Sequence, residues 1–219
     1  MDTRSNFHLA LSEMQNNLSL MGKNVEEAIG QAVESLSRID VDLAQKVIDQ
    51  DDRIDQAMLQ IEEACLSLIA LQQPMGSDLR VIGTAMKIAV DLERIADHAV
   101  DIAKITIRLK GEQLAKPLID IPKMADIALE MLRDSLISYT EKNIHRAAAL
   151  AEKDDQVDRL YGTVMHDALS LMSNDYSQNR QLVHLIQAAY WLERVADHTT
   201  NIGEGVIYMT IGKRKDLNI

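Results

Sequence analysis

Aromatic residues are scarce, at 3% of the 219 residues, and the chain has one cysteine, three prolines and a single tryptophan. So few Phe, Tyr and Trp, beside abundant Ala, Leu, Ile, Met, Glu and Gln, disfavour strands and suit helices, where straight side chains lose little rotamer freedom. The lone Cys65 has no partner for an internal disulfide and reads as a core residue. The opening Met1-Asp2-Thr3-Arg4 lacks the apolar core of a signal peptide, and together these features point to the cytoplasm. No apolar run approaches the ~18 residues that a membrane span needs, so the expectation is a protein not integral to a bilayer. A basic stripe is also missing. The net charge is −11, and outside the short tail Lys213-Arg214-Lys215, which reads as a frayed and solvated end, nothing invites nucleic acid or anionic lipid.

What is present is helical periodicity. Phe7, Leu11, Met14, Leu18, Met21, Val25, Ile29, Ala32 and Leu36 recur in steps of three or four, the mark of one buried helical face. The first helix stops near Arg38-Ile39, and Asp40 is a fitting N-cap for a second that runs to about Gln72, with Val47, Ile54, Met58, Ile61, Cys65 and Leu68 inward. Pro74 and Gly76 break the chain. Ser77 is the expected cap of a third helix, which runs to about Lys110 on a stripe of Ala85, Ile88, Leu92, Ile95, Ala99 and Ile102 and ends at Gly111. The stretch from Gly111 to Pro122 holds two of the three prolines and marks the boundary between halves 1–112 and 117–219. The pattern then repeats: a fourth helix over about Lys123 to Tyr139, a fifth capped by Asn143 and running to about Ser173, a polar break at Asn174-Asp175, and a sixth from about Ser177 to Ile211. The expected fold is all-α, two tandem antiparallel three-helix bundles related by internal duplication.

The duplication is legible residue by residue. A shift of 103 lays Asp51-Asp52-Arg53-Ile54-Asp55 on Asp154-Asp155-Gln156-Val157-Asp158. A shift of 100 lays Leu92-Glu93-Arg94-Ile95-Ala96-Asp97-His98 on Leu192-Glu193-Arg194-Val195-Ala196-Asp197-His198, with one conservative difference. Glu93, Asp97 and Asp101 stand four apart and so form one ridge, on the flank or outside of the third helix. Residues equally far from an antiparallel turn lie side by side. Counting from Pro74 therefore brings Asp55 beside Glu93 and Asp51 beside Asp97. Counting from Asp175 brings Asp158 beside Glu193 and Asp154 beside Asp197.

A single Glu-x-x-x-Asp is usually a solvated ridge. Two acid pairs facing each other are harder to dismiss, because like charges at i, i+4 cost about 0.2–0.5 kcal/mol and facing pairs cost more or push carboxyl pKa values upward. A bound cation removes that cost. The candidate ligands are Asp51, Asp55, Glu93, Asp97 and Asp101 in the first half and Asp154, Asp158, Glu193, Asp197 and Glu204 in the second. Oxygen donors favour hard ions such as Mg, Mn or ferric Fe over Zn. Arg94 and Arg194 read as salt-bridge partners, and His98 and His198 as surface or interface residues rather than ligands. Asp101 and Lys104 become Asn201 and Glu204 in the second half. All four positions are expected on the acidic face, and the replacement of Lys104 by Glu204, a change of two charge units, is expected to make the second site the tighter one, by about 1 kcal/mol.

With these duplicated motifs in hand, the whole chain resembles the PhoU family of phosphate-signalling regulators. The match covers both halves, through Asp51-x-x-x-Asp55 with Glu93-Arg94-x-x-Asp97 and Asp154-x-x-x-Asp158 with Glu193-Arg194-x-x-Asp197. The resemblance implies a cytoplasmic, usually homodimeric protein that restrains phosphate uptake and the phosphate-starvation response. Its implied partners are the ATPase of the phosphate ABC transporter and a membrane sensor kinase, and some members carry iron or zinc on these motifs. The residues themselves show no catalytic constellation. A di-metal carboxylate enzyme would need duplicated Glu-x-x-His pairs in a four-helix core, which are missing. A purely structural scaffold with solvated acids is the remaining alternative.

Overall fold

The computed structural model describes residues 3–114, 117–172 and 176–217. The described residues hold seven α-helices, one short 3₁₀ turn and no strand. α1 (Thr3–Arg38), α2 (Val41–Gln72) and α3 (Ser77–Arg108) form the first unit. α4 (Asp120–Glu141), α5 (Ile144–Ala148), α6 (Leu150–Met172) and α7 (Asn179–Ile211) form the second, with the 3₁₀ turn Tyr176–Gln178 leading into α7. Ser173, Asn174 and Asp175, the expected turn, lie outside the described residues, as do Met1, Asp2 and part of the stretch between the halves.

Local chemistry sets most boundaries. Asp40 is extended, and its carboxylate accepts from the Leu43 N–H at 3.0 Å, satisfying one of the orphan donors of a helix start. Asn143 does the same for the His145 and Arg146 N–H groups. Ser77 does not cap. It is the first helical residue, and the cap position belongs to Gly76 at φ 59°, with no side-chain bond. α4 starts three residues earlier than expected because Pro122 falls in its first turn, where a missing N–H costs nothing. The expected fifth helix is divided at Ala149, beside the point where α7 comes closest. A Cβ at Gly203 would stand 2.8 Å from Leu150 Cδ1 and 3.1 Å from the Ala147 carbonyl oxygen, so only glycine lets the two backbones meet there.

Packing follows from how much of each helix is apolar. α3 and α7 each bury fifteen residues over about half of their circumference, whereas α2 buries six and α6 five. A helix with a wide apolar face belongs in the middle and one with a narrow stripe on the outside. Accordingly α1, α3, α7 and α4 form a central four-helix layer, and α2 and α6 flank it, α2 against α1 and α3, α6 against α4 and α7. α3 and α7 run antiparallel. Thr84 reaches Gly205, Asp91 meets His198, and His98 meets Trp191. One continuous core passes through both units, from Leu18 and Ile29 through Leu92 and Ile95 to Leu192 and Val195. Cys65 lies fully inside it, and burial pushes its thiol up to about 11.

Two carboxylate clusters and the seam between them

Each outer helix lays two aspartates against the acidic ridge of its central helix. In the first half the Asp51 carboxyl is raised to about 6, by burial first and then by the charges of Asp55, Asp97, Asp52 and Glu93. Glu93 is raised by burial and by Asp97 and Asp55, against the pull of Arg94. Asp51 thus feels Asp97 and Glu93, and Glu93 feels Asp55, in keeping with the hairpin register counted from the sequence. The second half repeats it more deeply. Asp154 is 8% exposed, and its carboxyl is pushed up to about 7 by burial and by Asp158, Asp197, Glu193 and Asp155. Asp158 and Glu193 are raised as well, burial leading in both. Asp154 is buried outright on α6, whereas its counterpart Asp51 on α2 is only partly buried.

Cations of the chain itself already answer part of this charge. Arg94 spans Glu93 and Asp97, at 3.3 and 3.0 Å. Arg194 pairs with Asp197, and Glu193 Oε2 is left shielded from solvent with no hydrogen-bond partner. Among the described residues, no three His, Cys, Asp or Glu side chains are gathered tightly enough to hold a metal ion as they stand.

Two of the expected ligands stand apart. Asp101 pairs with Lys104 at 3.4 Å. Glu204 turns away from the second cluster: its Oε1 accepts from the Leu217 N–H at 2.8 Å, and it lines a separate cavity with Arg80 and Lys87. The Glu204 carboxylate is thus turned to the tail and shares its cavity with Arg80 and Lys87, which offset part of the charge that the sequence comparison assigned to the second cluster.

His98 and His198 meet at the α3–α7 seam, ring centroids 5.5 Å apart. His198 Nδ1 donates to Asp91 Oδ1 at 2.9 Å, while His98 stacks on Trp191 at 5.0 Å and 17°. Under the shift of 100 these are the same contact, with Asp91 in one half and Trp191 in the other. Both ring nitrogens of His98 are buried without partners, and burial, followed by the nearby His198, lowers its pKa to about 4. Sequence reasoning did not find the Asp91–Trp191 exchange. The signal lies in the alignment of the halves, at the position directly before the matched block and two residues before the matched Glu93 and Glu193.

The class so defined is an all-helical, internally duplicated protein with one carboxylate cluster per repeat. The PhoU domain model matches residues 18–106 and 121–206, and the chain belongs to the PhoU family. It is 41% identical over 217 residues, 99% of each chain, to the phosphate-specific transport system accessory protein PhoU homolog of Clostridium acetobutylicum. The crystal structure of PhoU from Pseudomonas aeruginosa superimposes with a TM-score of 0.89 at 33% identity, over 94% of this chain and all of that one. The phosphate transport system regulatory protein PhoU from Streptococcus pneumoniae gives 0.89 at 32%, over 96% and 99%.

Proposed function

We propose that this protein is a non-catalytic regulator that restrains phosphate uptake and the phosphate-starvation response, docking from the cytoplasm on the ATPase of the phosphate ABC transporter and on a membrane sensor kinase. The observation that carries this reading is the match of both repeats, over nearly the whole chain, to relatives named as phosphate transport accessory proteins. Among the described residues no helix is long and apolar enough to cross a membrane, so association with a transporter falls to its surfaces. The outer face of α2 and the turn after it present Leu59, Leu66, Leu71 and Met75, between 53% and 83% exposed, a stripe suited to contact with another protein or a second copy. Deleting the gene tests the reading. Phosphate-responsive reporters should escape repression in phosphate-rich medium, and unchanged output refutes it.

Within this reading the carboxylate clusters are cation sites. Asp154, Asp158, Glu193 and Asp197 would hold one ion and Asp51, Asp55, Glu93 and Asp97 another. The donor chemistry fits Mg, Mn or Fe, and the raised carboxyls and the unpartnered Glu193 Oε2 support the fit. A bound ion would supply the positive charge these groups lack. The chain's part is to gather the acids by side-chain rotation and to release Arg94 or Arg194 from them.

A further inference from the structure

The basic tail, read from sequence as a frayed end, folds back. Leu217 packs beside the core and its N–H bonds Glu204, which lays Arg214 and Lys215 along the groove between the first half of α3 and the second half of α7. There the structure has a cavity of about 340 Å³, lined by Arg80, Lys87, Arg214 and Lys215. The Arg80 Nε donates to the Met209 carbonyl at 3.1 Å, which fixes the guanidinium and leaves its remaining donors available. Arg214 lies over the Tyr208 ring at 5.9 Å. The two carboxylates on the cavity wall are engaged elsewhere, Asp91 with His198 and Glu204 with the Leu217 N–H. None of the four cations has an ion pair among the described residues.

The duplicated groove on the other side of the seam shows that this is no by-product of the fold. There Gly83 becomes Val183, Gly205 becomes Ile105, Asp91 becomes Trp191 and Lys87 becomes Gln187. Only the arginine is kept, and Arg180 is neutralised by Glu112. One groove has two glycines, an open cavity and four cations without an ion pair among the described residues; its twin has Val183 and Ile105 at the glycine positions and pairs Arg180 with Glu112 and Lys104 with Asp101, in a chain whose net charge is −11.

We infer that this cavity binds a phosphorylated small molecule, an ester or anhydride with two or more negative charges and an organic part. A fixed arginine fork flanked by lysines is the donor set that phosphate oxygens match. The volume lies in the range of about 300–1,000 Å³ typical of small-molecule sites, far more than orthophosphate fills, and Leu79 and Ile88 offer an apolar wall for the remainder. The inference does not rest on the regulatory reading, and the deletion phenotype leaves it untouched.

Calorimetric titration of the full-length protein in the presence of chelator tests it, with ADP, pyrophosphate and citrate as probes. ADP and pyrophosphate should bind with Kd below about 100 μM. The Lys87→Gln/Arg214→Gln double variant should weaken both at least about tenfold, while Glu193→Gln changes neither. Both altered side chains are at the surface, and circular dichroism of the variant checks that it folds. Kd values above about 1 mM for both phosphates, equal binding by wild type and double variant, or citrate binding as tightly as ADP would each overturn the inference.

Discussion

The two repeats carry the same acids at the same register but leave them in different electrostatic conditions. In the first, one guanidinium spans both ridge acids and the deepest aspartate remains half exposed. In the second, Asp154 is buried, Arg194 pairs with Asp197, and Glu193 has an oxygen shielded from solvent with no hydrogen-bond partner. Duplication preserved the cluster while neighbouring substitutions set how much of its repulsion the chain relieves by itself. On the proposal that the clusters are cation sites, the second repeat is the one expected to bind more tightly, on grounds other than the charge of Glu204.

Four measurements sharpen or break that contrast. The largest effect is expected at the seam, where one position is Trp191 in one half and Asp91 in the other. Trp191→Ala should cost about 3 kcal/mol by denaturant unfolding, and Asp91→Ala about 1 kcal/mol. Equal losses would show that the exchange has no energetic meaning.

Next is the pH dependence of Asp154. Its folded pKa of about 7 lies above the ordinary 3.8, so between these values the native state binds more protons than the unfolded one. Stability contributed by this group accordingly falls as pH rises from about 4 to 7 and stays low above. Asp154→Asn should stabilise by about 2 kcal/mol at pH 8, less than the full shift implies because solvent and counterions screen part of it, and by nothing near pH 4. Asp51→Asn should show the same sign and a smaller gain. A stability difference that does not vary with pH would remove Asp154 from the cluster's electrostatics.

Cation binding comes third. Titrating Mn²⁺ into metal-stripped protein should show the tighter site lost in Glu193→Gln/Asp197→Asn, at least about tenfold, and a smaller loss in Glu93→Gln/Asp97→Asn. If all three proteins bind alike, the acids are a solvated ridge. The smallest effect is Arg94→Gln, which removes a built-in counter-charge and should tighten Mn²⁺ binding at the first cluster by a few-fold, less than 1 kcal/mol.

The sequence allowed much of this to be read because helices obey simple arithmetic. The apolar stripe of α3 and the opposition of Asp51 to Asp97 follow from a period of 3.6 residues and a turn of known place, and both are observed. Asp40 and Asn143 were legible as caps because an extended Asp or Asn accepts from the next free N–H groups. The misses share a different cause. Which face of Asp154 or Glu204 is buried depends on how α6, α7 and the tail pack in space, and rotation about a helix axis of a few tens of degrees decides it. Ser77 lost the cap because Gly76 reaches φ 59° without strain. The tail was read by its charge, whereas Leu217 beyond it determines where it goes.

The antiparallel seam of α3 against α7 has a consequence for folding. Because each of these helices buries fifteen residues on several sides at once, neither repeat can complete its own interior, and the whole chain should lose structure in one cooperative step. A single repeat expressed alone would carry one long helix with an apolar flank facing water, and it would seek a second copy of itself as the stand-in for its missing half.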